Sequence, residues 1–164
     1  MKVLVAYGSK RGGTAGIAEM VASAMRHVGA DVELVEAGRV RTVGGFDAVV
    51  IGGSLYAGHW SRSAQRLVKR HASDLEKVPV WMFSSGPLDD TARDSEIPPV
   101  AHVAELMERV GARGHVTFGG RLLPDATGFP ASAMAKTMSG DWRDPDQIFT
   151  WAEQVVRDLS PKAS

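Results

Sequence analysis

Met1-Lys2-Val3-Leu4-Val5-Ala6-Tyr7-Gly8-Ser9-Lys10-Arg11-Gly12-Gly13-Thr14 decides how the whole chain is read. Val3 to Tyr7 is apolar without alternation, which suits a strand buried on both faces, and Gly8 ends it. The period then changes. Ile17, Met20, Val21, Ala24 and Val28 recur at helical spacing, and Gly29 supplies a C-terminal stop. A strand, a glycine-rich turn and a helix in that order direct free backbone N–H groups, a positive helix end and the hydroxyls of Ser9 and Thr14 at one point. That arrangement is a cradle for a phosphate.

Working outward, the same alternation continues. Val32 to Glu36, Ala48 to Ile51, Val80 to Phe83 and His115 to Phe118 read as further strands, three of them ending at glycines or serines. Ala37 to Phe46 is too short and glycine-rich for more than about two helical turns. Ala64, Leu67, Val68, His71 and Leu75 align as one helix behind a Ser61 or Ser63 cap. Val100, Val103, Met107 and Val110 predict the next helix, ended by Gly111, and Ile148, Trp151, Ala152, Val155 and Leu159 a terminal one. Strands and helices in alternation predict a three-layer α/β architecture with a parallel sheet, as a single domain over residues 1–164. Arg121 to Asp144 is a long connection, and connections of that size carry a function or a short element of their own.

Composition narrows the function classes. Lys plus Arg and Asp plus Glu are 19 each, so no overall basic field exists to hold nucleic acid. With no cysteine, the chain has no disulfide, thiolate nucleophile or cysteine-bound metal cluster, and redox chemistry would need a borrowed cofactor. The first apolar run is too short for a signal-peptide core, and no stretch reaches the roughly 20 apolar residues of a membrane span. The expected address is the cytoplasm, with peripheral membrane contact left open. Asp89, Asp90 and Asp94 crowd one segment without a histidine or glutamate at ligand spacing, so they read as a solvated loop and not a metal site.

The cradle lacks the Gly-x-x-x-x-Gly-Lys-Ser/Thr loop of nucleoside triphosphatases and the Gly-x-Gly-x-x-Gly dinucleotide fingerprint. Its pattern of Tyr7, Ser9, Gly12, Thr14, Ala18 and Val21 resembles the FMN-phosphate signature of the flavodoxins. Ala6 departs from the bulkier residue that family prefers before the aromatic. The resemblance implies a doubly wound flavodoxin-like fold with five parallel strands in the order 2-1-3-4-5. It also implies non-covalent FMN, its phosphate held by the Ser9 and Thr14 hydroxyls and the amides of Lys10, Arg11, Gly12, Gly13 and Thr14. A deazaflavin (F420) is the alternative cofactor, and Lys10 and Arg11 suit either anionic tail.

A doubly wound sheet binds its ligand beyond the carboxyl ends of its strands. Two further loops fall there. One contains Ser54, Leu55, Tyr56, Ala57, Gly58 and Trp60, the other Ser84, Ser85, Gly86, Pro87 and Leu88. Flavin recognition needs flat apolar surfaces and backbone amides, and Leu55, Tyr56 and Trp60 are the candidate ring contacts. By the same resemblance, a peptide near Ala57-Gly58 turns its carbonyl toward the flavin N5. Trp81, Trp151 and His71 read as core or structural; His59 reads as a surface group or a proton donor.

Gly53-Ser54 with Gly58-His59, Leu67 to Ala72, and Met138-Ser139-Gly140 followed by Trp151 look like the flavodoxin-type, quinone-linked protoporphyrinogen IX dehydrogenases. That branch has a basic, aromatic-rich insertion after the fifth strand, whereas Arg121 to Ser139 holds only Arg121 and Lys136 as cations and Phe129 as an aromatic. Leu122, Leu123, Phe129, Met134 and Met138 remain as a cover for a flavin or apolar substrate. The resemblance implies an oxidoreductase working on a small-molecule substrate or quinone. The alternative is an electron carrier serving a redox protein partner. In either case the flavin carries the chemistry, and no catalytic side chain is assigned.

Overall fold

The computed structural model describes residues 1–9, 13–86, 92, 96–122 and 140–160. Lys10, Arg11, Gly12, Pro87, Leu88, the three aspartates of residues 89–94 and most of the long connection lie outside the described residues. Strand β1 (Lys2–Gly8) feeds helix α1 (Gly13–His27), followed by β2 (Asp31–Glu36) and a single 3-10 turn at Ala37–Arg39. Then come β3 (Ala48–Tyr56), β4 (His59–Trp60), α2 (Arg62–Arg70), α3 (Ala72–Leu75) and β5 (Val80–Ser85). Helix α4 (Ala101–Val110), β6 (Gly114–Phe118), the short strands β7 (Arg121–Leu122) and β8 (Gly140–Asp141), and α5 (Pro145–Leu159) complete the order.

The main sheet runs β2-β1-β3-β5-β6 with every neighbouring pair parallel. This is the expected 2-1-3-4-5 order, renumbered because the two-residue β4 folds back antiparallel on β3. Side chains alternate between two apolar layers. Val3, Val5, Val50 and Phe83 pack with Ile17, Val21, Ile148 and Trp151 under α1 and α5. Leu4, Ala6, Ile51 and Met82 pack with Leu67, Val68, Val103 and Leu106 under α2 and α4. A strand buried on both faces has to be apolar throughout, which is why the runs did not alternate.

Three expectations need correction. Gly52 and Gly53 do not end β3, which continues to Tyr56. Glycine is needed there because a Cβ at Gly52 would collide with the Phe83 ring, and one at Gly53 would lie 2.6 Å from Trp60 Cγ. The single helix expected through Leu75 is broken at His71, whose φ of −109° and ψ of 19° separate α2 from α3. Ser61 does hold the N-cap position of α2, but its hydroxyl accepts no hydrogen bond from the helix. Gly111 stops α4 as expected, in the left-handed region at φ 67°.

Trp60, a candidate ring contact, has its indole 2% exposed and packed in the α2 and α4 layer. The indole N–H donates to Ser84 Oγ at 2.9 Å, and Ser84 Oγ lies 2.8 Å from His115 Nε2. Ser84 is itself fully buried, and its hydroxyl serves this network. The serine oxygen accepts from the indole and shares a second hydrogen bond with the imidazole, whose direction follows the His115 tautomer. The chain of donors ties the β3–β4 hairpin to β5 and β6.

Burial lowers the His115 pKa to about 4 from an ordinary 6.5. Below pH 6.5 the unfolded chain takes up a proton that the folded chain refuses, so this contribution is complete above 6.5 and is lost as pH falls through 4. Urea unfolding of the wild type should show a loss of roughly 2–3 kcal/mol between pH 7.5 and pH 4 beyond that of His115→Gln. Parallel pH profiles for the two proteins would contradict a half-buried neutral His115.

Candidate functional site

The carboxyl ends of β1, β3, β5 and β6 open on one edge of the sheet. In register, Tyr7 pairs with Gly52 and Gly8 with Gly53, while Ser54 pairs with Ser85 and Ser85 with Phe118. The expected loops therefore meet. Gly86 lies against the Leu55 side chain, where an added Cβ would sit 3.0 Å from Leu55 Cβ, and its N–H donates to the Phe118 carbonyl at 3.2 Å. Gly120 approaches the Gly86 carbonyl so closely that an added Cβ would be 3.4 Å from it.

On the β1 side, Ser9 follows the strand, and Gly13 and Thr14 open α1. Thr14 is 1% exposed, and its buried Oγ1 has no hydrogen-bond partner among the described residues. A buried hydroxyl left unpaired costs free energy, on the order of 1–3 kcal/mol, unless a ligand satisfies it. A second wall comes from α2. A Cβ at Gly8 would collide with Ser61 Oγ and lie 2.7 Å from Ser63 Oγ and 2.9 Å from the Ala64 nitrogen. Ser61 Oγ is also buried without a partner among the described residues. The start of α2 is thus pressed onto the end of β1, with two hydroxyls and a backbone N–H beside the turn. These residues fit an anionic phosphate ester, which accepts hydrogen bonds and carries charge toward a positive helix end.

Ser54, Leu55 and Tyr56 end β3, and Leu55 and Tyr56 are half-buried. Leu55 pairs with Trp60 and Tyr56 with His59, leaving a two-residue turn at Ala57-Gly58. Both turn residues have positive φ, 48° at Ala57 and 79° at Gly58. Such a turn matches the strand twist, and the left-handed alanine is strained where a glycine would not be. Ser61 N–H donates to the Ser54 carbonyl at 3.0 Å, which holds the far side of the hairpin.

His59 is exposed, lies 3.2 Å through Nδ1 from the Ala57 carbonyl, and stacks on His102 with centroids 4.7 Å apart. The His102 pKa is lowered by burial first and then by the His59 and Lys69 charges, with Glu105 opposing. Ser85 is buried with 5% exposure, so like Ser84 it frames the edge through its strand.

Ser61, Ser63 and Gly120 were missed as site residues, and so was the Trp60–Ser84–His115 network. A Ser-x-Ser pair reads first as a helix cap, and nothing in the local pattern shows that α2 begins against β1. Arg143 is a separate feature. It is held by Asp141 through bonds of 2.9 and 2.7 Å, its pKa raised chiefly by that bond. It borders a groove of about 550 Å³ between α1 and α5, lined by Gly16, Glu19 and Phe149 among others. Among the described residues no cluster of three metal-ligating side chains occurs, and no helix is long and apolar enough to cross a membrane.

Comparison with known proteins agrees with this geometry. Protoporphyrinogen IX dehydrogenase (quinone) of Escherichia coli strain K12 is 31% identical over 86 residues, covering 51% of this chain. That match spans about half the length of the curated relative, 48%. Flavodoxin 1 of Bacillus cereus superposes with a TM-score of 0.66 at 16% identity, covering 98% of this chain and all of the other. The rubredoxin:oxygen oxidoreductase of Desulfovibrio gigas gives a TM-score of 0.66 at 14% identity, over 96% of this chain and 36% of that one. At such identities these structures speak for the fold alone. The sequence profile of the flavodoxin domain matches residues 4–146, most of the chain, and the protein belongs to that family.

Proposed function

We propose that the protein binds FMN without a covalent bond and acts as a flavin-dependent oxidoreductase. The observation that carries this reading is the unpaired Thr14 hydroxyl, buried at the opening of α1 beside the hydroxyls that start α2. Main-chain amides of residues 10–14 and the Ser9 and Thr14 hydroxyls would hold the phosphate, with Ser61 as an additional donor. Leu55 and Tyr56 would border the ring on the hairpin side, and the backbone at Gly86 and Gly120 its other edge. When bound, FMN supplies one- and two-electron chemistry, so the chain needs no acid or base of its own. Its residues set binding, orientation and solvent access.

The E. coli relative's name suggests protoporphyrinogen IX as the electron donor and a quinone as the acceptor. That pair is the first to test on anaerobic, FMN-loaded protein. A deazaflavin would use the same phosphate contacts, and mass spectrometry of the ligand extracted from native protein separates the two cofactors.

Titration of FMN fluorescence should show tight quenching by the wild type. Thr14→Val should weaken FMN roughly 10- to 100-fold, the worth of a hydrogen bond to a charged group, and leave riboflavin affinity unchanged. Thr14→Asp should abolish most FMN binding by setting an anion against the phosphate. A wild type that leaves FMN fluorescence unaltered would refute the assignment. Equal losses for FMN and riboflavin in Thr14→Val would place the threonine outside the phosphate site.

A further inference from the structure

The chain is neutral overall, but helix α2 is not. Arg62, Arg66, Lys69 and Arg70 are all exposed on it, and the helix contains no acidic residue. At 3.6 residues per turn, these four fall within an arc of about 100°, opposite the buried Ala64, Leu67 and Val68. They form a ridge about 12 Å long at 1.5 Å per residue. The ion pairs found among the described residues, Arg39 with Glu36 and Arg143 with Asp141, involve none of them.

The fold does not account for this ridge. Arg62 with Arg66 and Arg66 with Arg70 are i,i+4 pairs of like charge, each of which disfavours a helix. The helix dipole favours Lys69 and Arg70 in the last turn but opposes Arg62 in the first. The ridge also borders the site. Arg62 starts the helix whose N-terminal serines pack on Gly8, and the Lys69 charge reaches His102, which stacks on His59 of the hairpin.

We propose that this ridge is the docking surface for an acidic redox protein that exchanges electrons at the hairpin edge, an inference that rests on the flavin reading above. Charge complementarity names the partner. Every exposed position of α2 carries a charge, with no apolar side chain to enter a bilayer as membrane-surface helices require. The exposed large hydrophobic residues among those described are Met1 and Val28, which flank β1 and α1 and lie outside α2. The hairpin tip beside the ridge consists of Ala57, Gly58 and the exposed His59, with little bulk to keep a partner away. Complementary charge steers encounter and fixes orientation, and salt weakens it.

The test uses FMN-loaded full-length protein and fluorescently labelled plant-type two-iron ferredoxin as the acidic probe, followed by anisotropy. The wild type should bind at 50 mM salt and weaken roughly tenfold or more by 200 mM, as screening shortens the reach of the ridge. Combined Arg66→Glu, Lys69→Glu and Arg70→Glu should lose at least roughly tenfold at 50 mM. FMN affinity and the circular dichroism spectrum should stay unchanged. If charge reversal unfolds the helix, the glutamine versions of the same three positions should give the same trend.

Absence of ferredoxin binding by the wild type, or equal binding by the folded variant, would overturn the proposal. Preferential binding to vesicles containing phosphatidylserine, or to duplex DNA, would do so as well. The FMN titration on the same samples keeps the two claims apart. Ridge-dependent docking without FMN binding would sink the cofactor reading alone, and FMN binding without docking would sink the ridge alone.

Discussion

Close backbone approach at the carboxyl ends of β1 and β3 is the constraint on which the rest depends. Gly8 and Gly53 are register partners, and Gly52 pairs with Tyr7 on the same seam. None of the three has room for a side chain, because Ser61 and Ser63, Trp60 and the Phe83 ring occupy that space. Removing side chains there lets α2 begin against β1 and lets the indole of Trp60 pack against Gly53 of β3. From this single packing decision follow the second wall of the cradle, the fold-back of β4 and the position of Leu55 and Tyr56. The Trp60–Ser84–His115 chain of donors then fixes the hairpin to the sheet's far strands.

Much of the fold was legible because its signals are local or periodic. The apolar run of β1, the helical stripe from Ile17, and the stop at Gly111 each follow from a physical rule acting over a few residues. The family signature around Ser9 and Thr14 was legible for a related reason, since it is confined to one short turn between a strand and a helix. Gly52 and Gly53 misled because glycine breaks a strand as often as it admits a neighbour, and only the tertiary contact with Phe83 and Trp60 distinguishes the two. The burial of Trp60 was hidden in the same way: an aromatic in a loop shows nothing of which surface it will cover. Ser61 looked like a cap because its role toward β1 depends on a contact with Gly8, a residue 53 positions away in the numbering.

Whole-chain charge does not describe how charge is distributed over the surface. A balance of 19 cations against 19 anions argues against a broad electrostatic field, and that conclusion stands for the molecule as a whole. Steering, however, depends on charge within about a Debye length of the contact, roughly 10 Å at moderate salt. Helix α2 itself carries four cations and no anion, and it starts against the end of β1 beside the hairpin. The distribution of charge, not its sum, bears on what approaches the site.

The central claim is that a phosphate dianion occupies the niche between the starts of α1 and α2, out of water and saturated with donors. Phosphorus-31 NMR of the FMN complex between pH 5 and 9 tests it most directly. A niche that holds the dianion predicts one bound resonance whose shift stays constant across the range, while free FMN titrates near a pKa of about 6. A bound resonance that follows the free titration curve would show the phosphate in solvent and contradict the account.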